Sequence, residues 1–152
     1  MKTQITRIVL CLLVVLTTIA CKKENQNTNS NAISAGWWQK TAQTSTNTST
    51  GAIDDTYAPL SACEKDNLIR FNTDGTYSWA AGATKCSASE PDEVADAGDW
   101  NITGGKLTMD DGFLVRLTNG EILINNSTTL RVAFPNALGA SGYTLTITYT
   151  KR

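Results

Sequence analysis

From Gly36 to the end of the chain, apolar residues recur with a period of two, the spacing of a strand that buries one face. Tyr143, Leu145, Ile147 and Tyr149 alternate with Thr144, Thr146, Thr148 and Thr150. Leu130, Val132 and Phe134 alternate with Thr129, Arg131 and Ala133, and Leu107 and Met109 with Lys106, Thr108 and Asp110. Phe113, Val115 and Leu117 interleave with Leu114 and Arg116; Trp100 and Ile102 share a face, as do Ile122 and Ile124. No stretch carries a convincing period of 3.6. Gly104-Gly105 and Asn119-Gly120 suit two-residue hairpin loops that need positive φ, and Asp110-Asp111-Gly112 and Asn125-Asn126-Ser127 mark two further turns. Residues 98–134 are therefore expected as five consecutive strands in an antiparallel meander, with connections too short for parallel crossovers.

The hairpin before this meander is the best specified. Asn72-Thr73-Asp74-Gly75 suits a type I turn followed by a left-handed bulge at Gly75. A three-residue loop centred on Asp74 sets Phe71 against Tyr77 and Ile69 against Trp79, so the apolar residues of both strands share a face. Slipping by one would set Trp79 against Arg70, so turn chemistry and apolar pattern select the same register. Extending it outward brings Cys63 to within one residue of Cys86, and a disulfide there stabilises by roughly 3 kcal/mol in the chain-entropy picture. Elsewhere the signal is weaker. Gln43 to Thr56, rich in Ser, Thr, Asn and Gly, reads as a long surface loop, and Tyr57 to Leu60 as a short edge segment broken at Pro59. Ser87 to Ala97, with Glu90, Asp92, Glu93 and Asp96, reads as an exposed acidic loop, and Pro135 to Gly142 links the last two strands.

The amino terminus is of another kind. Lys2 and Arg7 precede an apolar run from Ile8 to Leu16, and small residues lead into Ala20-Cys21. That is the layout of a secretion signal over residues 1–20, and the run falls short of the about 20 residues of a spanning helix. Thr18-Ile19-Ala20-Cys21 resembles the lipobox of bacterial lipoproteins, which implies lipid on Cys21 and attachment to a membrane. Ordinary signal-peptidase cleavage is the rival, and it would leave Cys21 an unpaired thiol. Residues 21–33 are polar and read as a disordered tether, and 34–152 as the folded domain. No aspartate follows Cys21, so the outer membrane is the expected address. In an exported chain, Cys63 and Cys86 form an even pair, and a structural disulfide is the expectation.

Composition narrows the chemistry. There is no histidine, which removes the usual general base, the commonest metal ligand and every Ser-His-Asp or Cys-His arrangement. Beyond residue 20, eleven basic residues face fourteen acidic ones, a net charge of about −3 with no basic patch, so a nucleic-acid partner is set aside. Asp54-Asp55 and the acids of 90–96 lack the spacing of a calcium loop and read as solvated charge. No catalytic residue, metal site or cofactor is expected.

The order of these features resembles the lipocalin-like domain of many small bacterial lipoproteins. Gly36-Trp37-Trp38 places a Gly-x-Trp at the opening strand, repeated by Gly98-Asp99-Trp100, with Cys63-Glu64-Lys65-Asp66-Asn67, the 71–77 hairpin and Cys86 between. The resemblance covers about residues 34–150 and implies an up-and-down β-barrel of about 8–9 strands with an inner cavity. It brings no catalytic residues.

Trp38, Phe71, Tyr77, Trp79 and Trp100 either line a cup for a small apolar ligand or fill a narrow barrel as its core. Adjacent Trp37 and Trp38 point to opposite faces, so one lies outward unless something covers it. Two functions follow as expectations. The first is a membrane-tethered, non-enzymatic binding module for a small apolar ligand. The second is an interaction or inhibitor protein with a filled barrel, acting through the 43–56 and 87–97 loops on an envelope protein or glycan.

Overall fold

The computed structural model describes residues 30–112 and 116–152; residues 1–29, with the expected signal and Cys21, and Phe113–Val115 lie outside them. The chain folds as a closed antiparallel barrel of eight strands with one extra strand at its rim. In order these are β1 (Trp38–Asn47), the extra β2 (Ile53–Asp55), β3 (Leu68–Phe71), β4 (Thr76–Ala80), β5 (Glu93–Thr103), β6 (Lys106–Asp110), β7 (Arg116–Asn125), β8 (Thr129–Pro135) and β9 (Tyr143–Lys151). Each barrel strand pairs with its neighbour, and β1 closes on β9 from Trp38↔Lys151 to Asn47↔Tyr143. Two short helices, α1 (Ser30–Ile33) and α2 (Ala62–Asp66), complete it with a 3₁₀ turn at Ala137–Gly139.

The β3–β4 hairpin has the expected register, Phe71↔Tyr77 and Ile69↔Trp79, with Gly75 at φ 92°. Asp74 Oδ1 accepts the Thr76 amide at 3.0 Å and its hydroxyl at 2.8 Å, which fixes the loop. Inward residues of the later strands form the core as the period-two pattern predicts. Leu107, Leu130, Val132 and Phe134 are fully buried, and Ile147 and Tyr149 nearly so. Each such side chain contributes roughly 1.5–3 kcal/mol relative to exposure.

Several expectations are corrected. Among the described residues, 98–134 hold four strands rather than five, because β7 runs unbroken from Arg116 to Asn125 and Asn119-Gly120 is not a hairpin. Asn119, at φ 57°, sits instead in a bulge where the pairing with β6 shifts between Leu107 and Met109. Glycine is required beside it for close approach: a methyl at Gly120 would stand 2.3 Å from Phe134 Cε1 and 2.7 Å from Val132 Cγ1. A second bulge, at Leu123, reverses the alternation, so Ile122 is buried while Ile124 is 37% exposed and the two do not share a face.

Gln43 to Thr56 is a hairpin and not a long loop. β1 continues through Asn47, and β2 pairs Ile53, Asp54 and Asp55 with Thr46, Ser45 and Thr44. The polar Ser/Thr run hides a strand because its backbone is held by β9 on one side and β2 on the other, without needing large apolar side chains. Likewise β5 begins at Glu93, so only part of Ser87 to Ala97 is loop. Tyr57 to Leu60 is a turn rather than an edge strand, its entry capped by Asp55 Oδ1 on the Tyr57 and Ala58 amides at 2.9 Å.

The fold also reaches back further than residue 34. Ile33 is fully buried, and its carbonyl accepts the indole N–H of the equally buried Trp38 at 2.7 Å. A buried indole needs an acceptor, and α1 supplies it, so residues 30–33, expected as part of a tether, are structured. On the outer face the Arg70 guanidinium lies 4.5 Å from the Trp37 ring and pairs with Glu93 at 3.1 Å, so the outward tryptophan is covered.

Candidate functional site: the barrel cavity

The barrel interior is open in part. A cavity of about 420 Å³ is walled by Trp38, Lys40 and Gln43 of β1, Leu68 and Ile69 of β3, and Tyr77 and Trp79 of β4. Met109, Leu117, Leu145, Ile147 and Tyr149 complete it from β6, β7 and β9, and Leu60, Glu64 and Asn67 come from the α2 segment. The topology explains the opening. β1 pairs with β3 only at Trp38 and Gln39 and with β2 only from Thr44, so its edge between them has no strand neighbour. The α2 segment stands over this gap, held by the Tyr57 hydroxyl on the Lys40 carbonyl (3.1 Å) and the Gln39 amide on the Lys65 carbonyl (2.8 Å).

Ser61 caps α2 and Glu64 returns the bond: the Ser61 hydroxyl accepts the Glu64 amide at 3.3 Å, and Glu64 Oε2 takes the Ser61 amide at 2.8 Å. A 5.2 Å Cα–Cα disulfide, Cys63–Cys86, then ties α2 to the loop after β4. The expected pairing is therefore present, from a helix rather than from an extension of the hairpin.

Of the five aromatics expected around a ligand, Trp38, Tyr77 and Trp79 line the cavity. Phe71 and Trp100 do not. They meet edge to face at 5.2 Å, with the Trp100 indole donating to the Asn72 carbonyl at 2.9 Å, and serve as core. Trp38 and Tyr77 border the cavity and belong to the buried core as well.

The strongest polar feature escaped the sequence reading. Lys40 shares the inward face of β1 with Trp38, and its spacing of two from Trp38 was the available signal. Burial lowers its pKa below the ordinary 10.5, while the Glu64 carboxylate pulls the other way. Glu64 is exposed, and its bonds to the Ser61 side chain and backbone, more than the nearby lysines, hold its carboxyl below the usual range. Burial pushes the Tyr77 hydroxyl up to about 12, with Asp111, Asp110 and Asp99 adding repulsion. Burial also raises Tyr149, with Tyr77 contributing. Asn67 Oδ1 is buried with no hydrogen-bond partner among the described residues. A second cavity of about 380 Å³, lined by Ser45, Thr56, Ala137, Ala140 and Tyr143, shares Gln43 and Leu145 with the first.

Among the described residues no group of three or more acidic or cysteine side chains is placed to hold a metal ion, and no helix is long and apolar enough to cross a membrane. No protein-family model matches the chain, and no curated protein or solved structure matches it either.

Proposed function

We propose that this chain is a lipid-anchored envelope protein with a lipocalin-like barrel that binds a small, largely apolar ligand without transforming it. One observation carries the reading: a cavity of about 420 Å³ within the barrel, walled mainly by aliphatic and aromatic side chains. Its size falls inside the ~300–1,000 Å³ of small-molecule sites, and a few polar groups among apolar walls are the usual composition. The leader and Cys21 support delivery to a membrane, most simply the outer membrane, with acyl chains as the anchor.

Trp38 and Trp79 stand in the wall and make the test direct. The full chain in nanodiscs, titrated with a library of lipophilic compounds, should change its tryptophan emission saturably. Leu117→Phe, which fills part of the cavity, should weaken that response while preserving the far-UV spectrum. A flat response across the library defeats the reading. Intact-mass analysis tests the anchor, since an unacylated Cys21 thiol would remove it.

A further inference from the structure

Among the described residues, Lys40 is the only basic side chain in the cavity wall and Glu64 the only acidic one. A half-buried ammonium among apolar walls is costly unless an anion sits against it. Among the described residues no carboxylate comes within 4.0 Å of it. Glu64 attracts it from a distance, but Glu64 Oε2 is already occupied by the Ser61 amide and hydroxyl at 2.8 and 2.7 Å. The lysine is also held in place. Its carbonyl anchors Tyr57, and strand pairing with Tyr149 fixes its backbone.

We propose that the cavity takes a single-chain amphiphile whose anionic head sits on the Lys40 ammonium and whose tail lies against Met109, Leu117, Leu145 and Ile147. This rests on the binding reading above and adds the charge of the ligand. The aliphatic residues give a tail an apolar wall, and Leu145 also borders the second cavity. Glu64 works against the anion and so limits how much negative charge the head carries.

Three probes of equal chain length decide it: dodecanoate, dodecanol and dodecyltrimethylammonium. Each is titrated into the full chain in nanodiscs by tryptophan fluorescence, with empty nanodiscs as the partitioning blank. Wild type should bind dodecanoate about tenfold tighter than dodecanol, the cation most weakly. Lys40→Met should level dodecanoate with dodecanol, Lys40→Arg should keep the preference, and Glu64→Gln should tighten dodecanoate about threefold. Equal affinity for anion and alcohol in wild type, or a preference that survives Lys40→Met, overturns the role of Lys40 and leaves the apolar cavity standing. No response to any probe overturns both. Should Lys40→Met not fold, an unchanged dodecanoate affinity in Glu64→Gln overturns the inference by itself.

Discussion

Gly120→Ala is a small change with a large expected effect. The added carbon would lie 2.3 and 2.7 Å from the Phe134 ring and 2.7 Å from Val132 Cγ1, where carbon atoms in contact settle at about 3.5–4.0 Å. Phe134 and Val132 are fully buried, so neither has room to withdraw. Overpacking of this kind costs about 1–3 kcal/mol, and here the upper end applies. Replacing glycine within a strand returns roughly 0.5–1 kcal/mol, leaving a net loss of about 2 kcal/mol.

The cause can be isolated by a double-mutant cycle. Phe134→Leu alone should cost about 1.5 kcal/mol through lost ring volume. Independent effects would sum to about 3.5 kcal/mol; if the clash is the cause, the double variant loses only about 2 kcal/mol, a coupling of about 1.5. Guanidinium unfolding followed by tryptophan emission measures all four proteins. Strict additivity, or a Gly120→Ala variant as stable as wild type, would refute the close-approach argument.

Replacing Cys63 and Cys86 by serine opens a loop of sequence separation 23 and should lower stability by roughly 3 kcal/mol, visible as a lower melting temperature than the oxidised protein; equal melts would defeat it. Lys40→Met should raise the unfolding midpoint at neutral pH. Because the folded lysine titrates below 10.5, wild-type stability rises with pH through the window below that value, and the advantage of the variant should vanish there. Tyr77 behaves oppositely: its folded pKa of about 12 exceeds the ordinary 10.0, so its contribution is complete below pH 10 and is lost as pH climbs towards 12. Tyr77→Phe should soften alkaline unfolding in that window, which a pH series of denaturant midpoints reads.

What was legible in the sequence was local. Phe71-Asn72-Thr73-Asp74-Gly75-Thr76-Tyr77 specifies its own register, because the loop length and the apolar pairing agree. The alternation in Leu130–Phe134 and Tyr143–Tyr149 needs only the pleat to turn into a buried face. Errors arose where a residue type has two uses. Asn119-Gly120 fits a hairpin turn and a bulge equally well, and the choice lies with Phe134, distant in sequence. The run from Thr41 to Thr46 carries no apolar pattern, so its strand was visible only through its partners. Ser61-Ala62-Cys63-Glu64 did carry a helix signal, the capping box, in a helix too short for periodicity to register.

The site divides along the same line. Residue order alone determined an all-β chain, an antiparallel meander, a cysteine pair and a set of inward-facing rings, because each depends on neighbours a few positions apart. Whether those rings leave a cavity was decided by closure. β1 has to meet β9 along its length, while β3 reaches it only at Trp38 and Gln39, and the resulting gap, roofed by α2, turns Lys40 and Glu64 into lining residues. That outcome is a property of how strand edges match in space, and alternation along a single strand does not encode it.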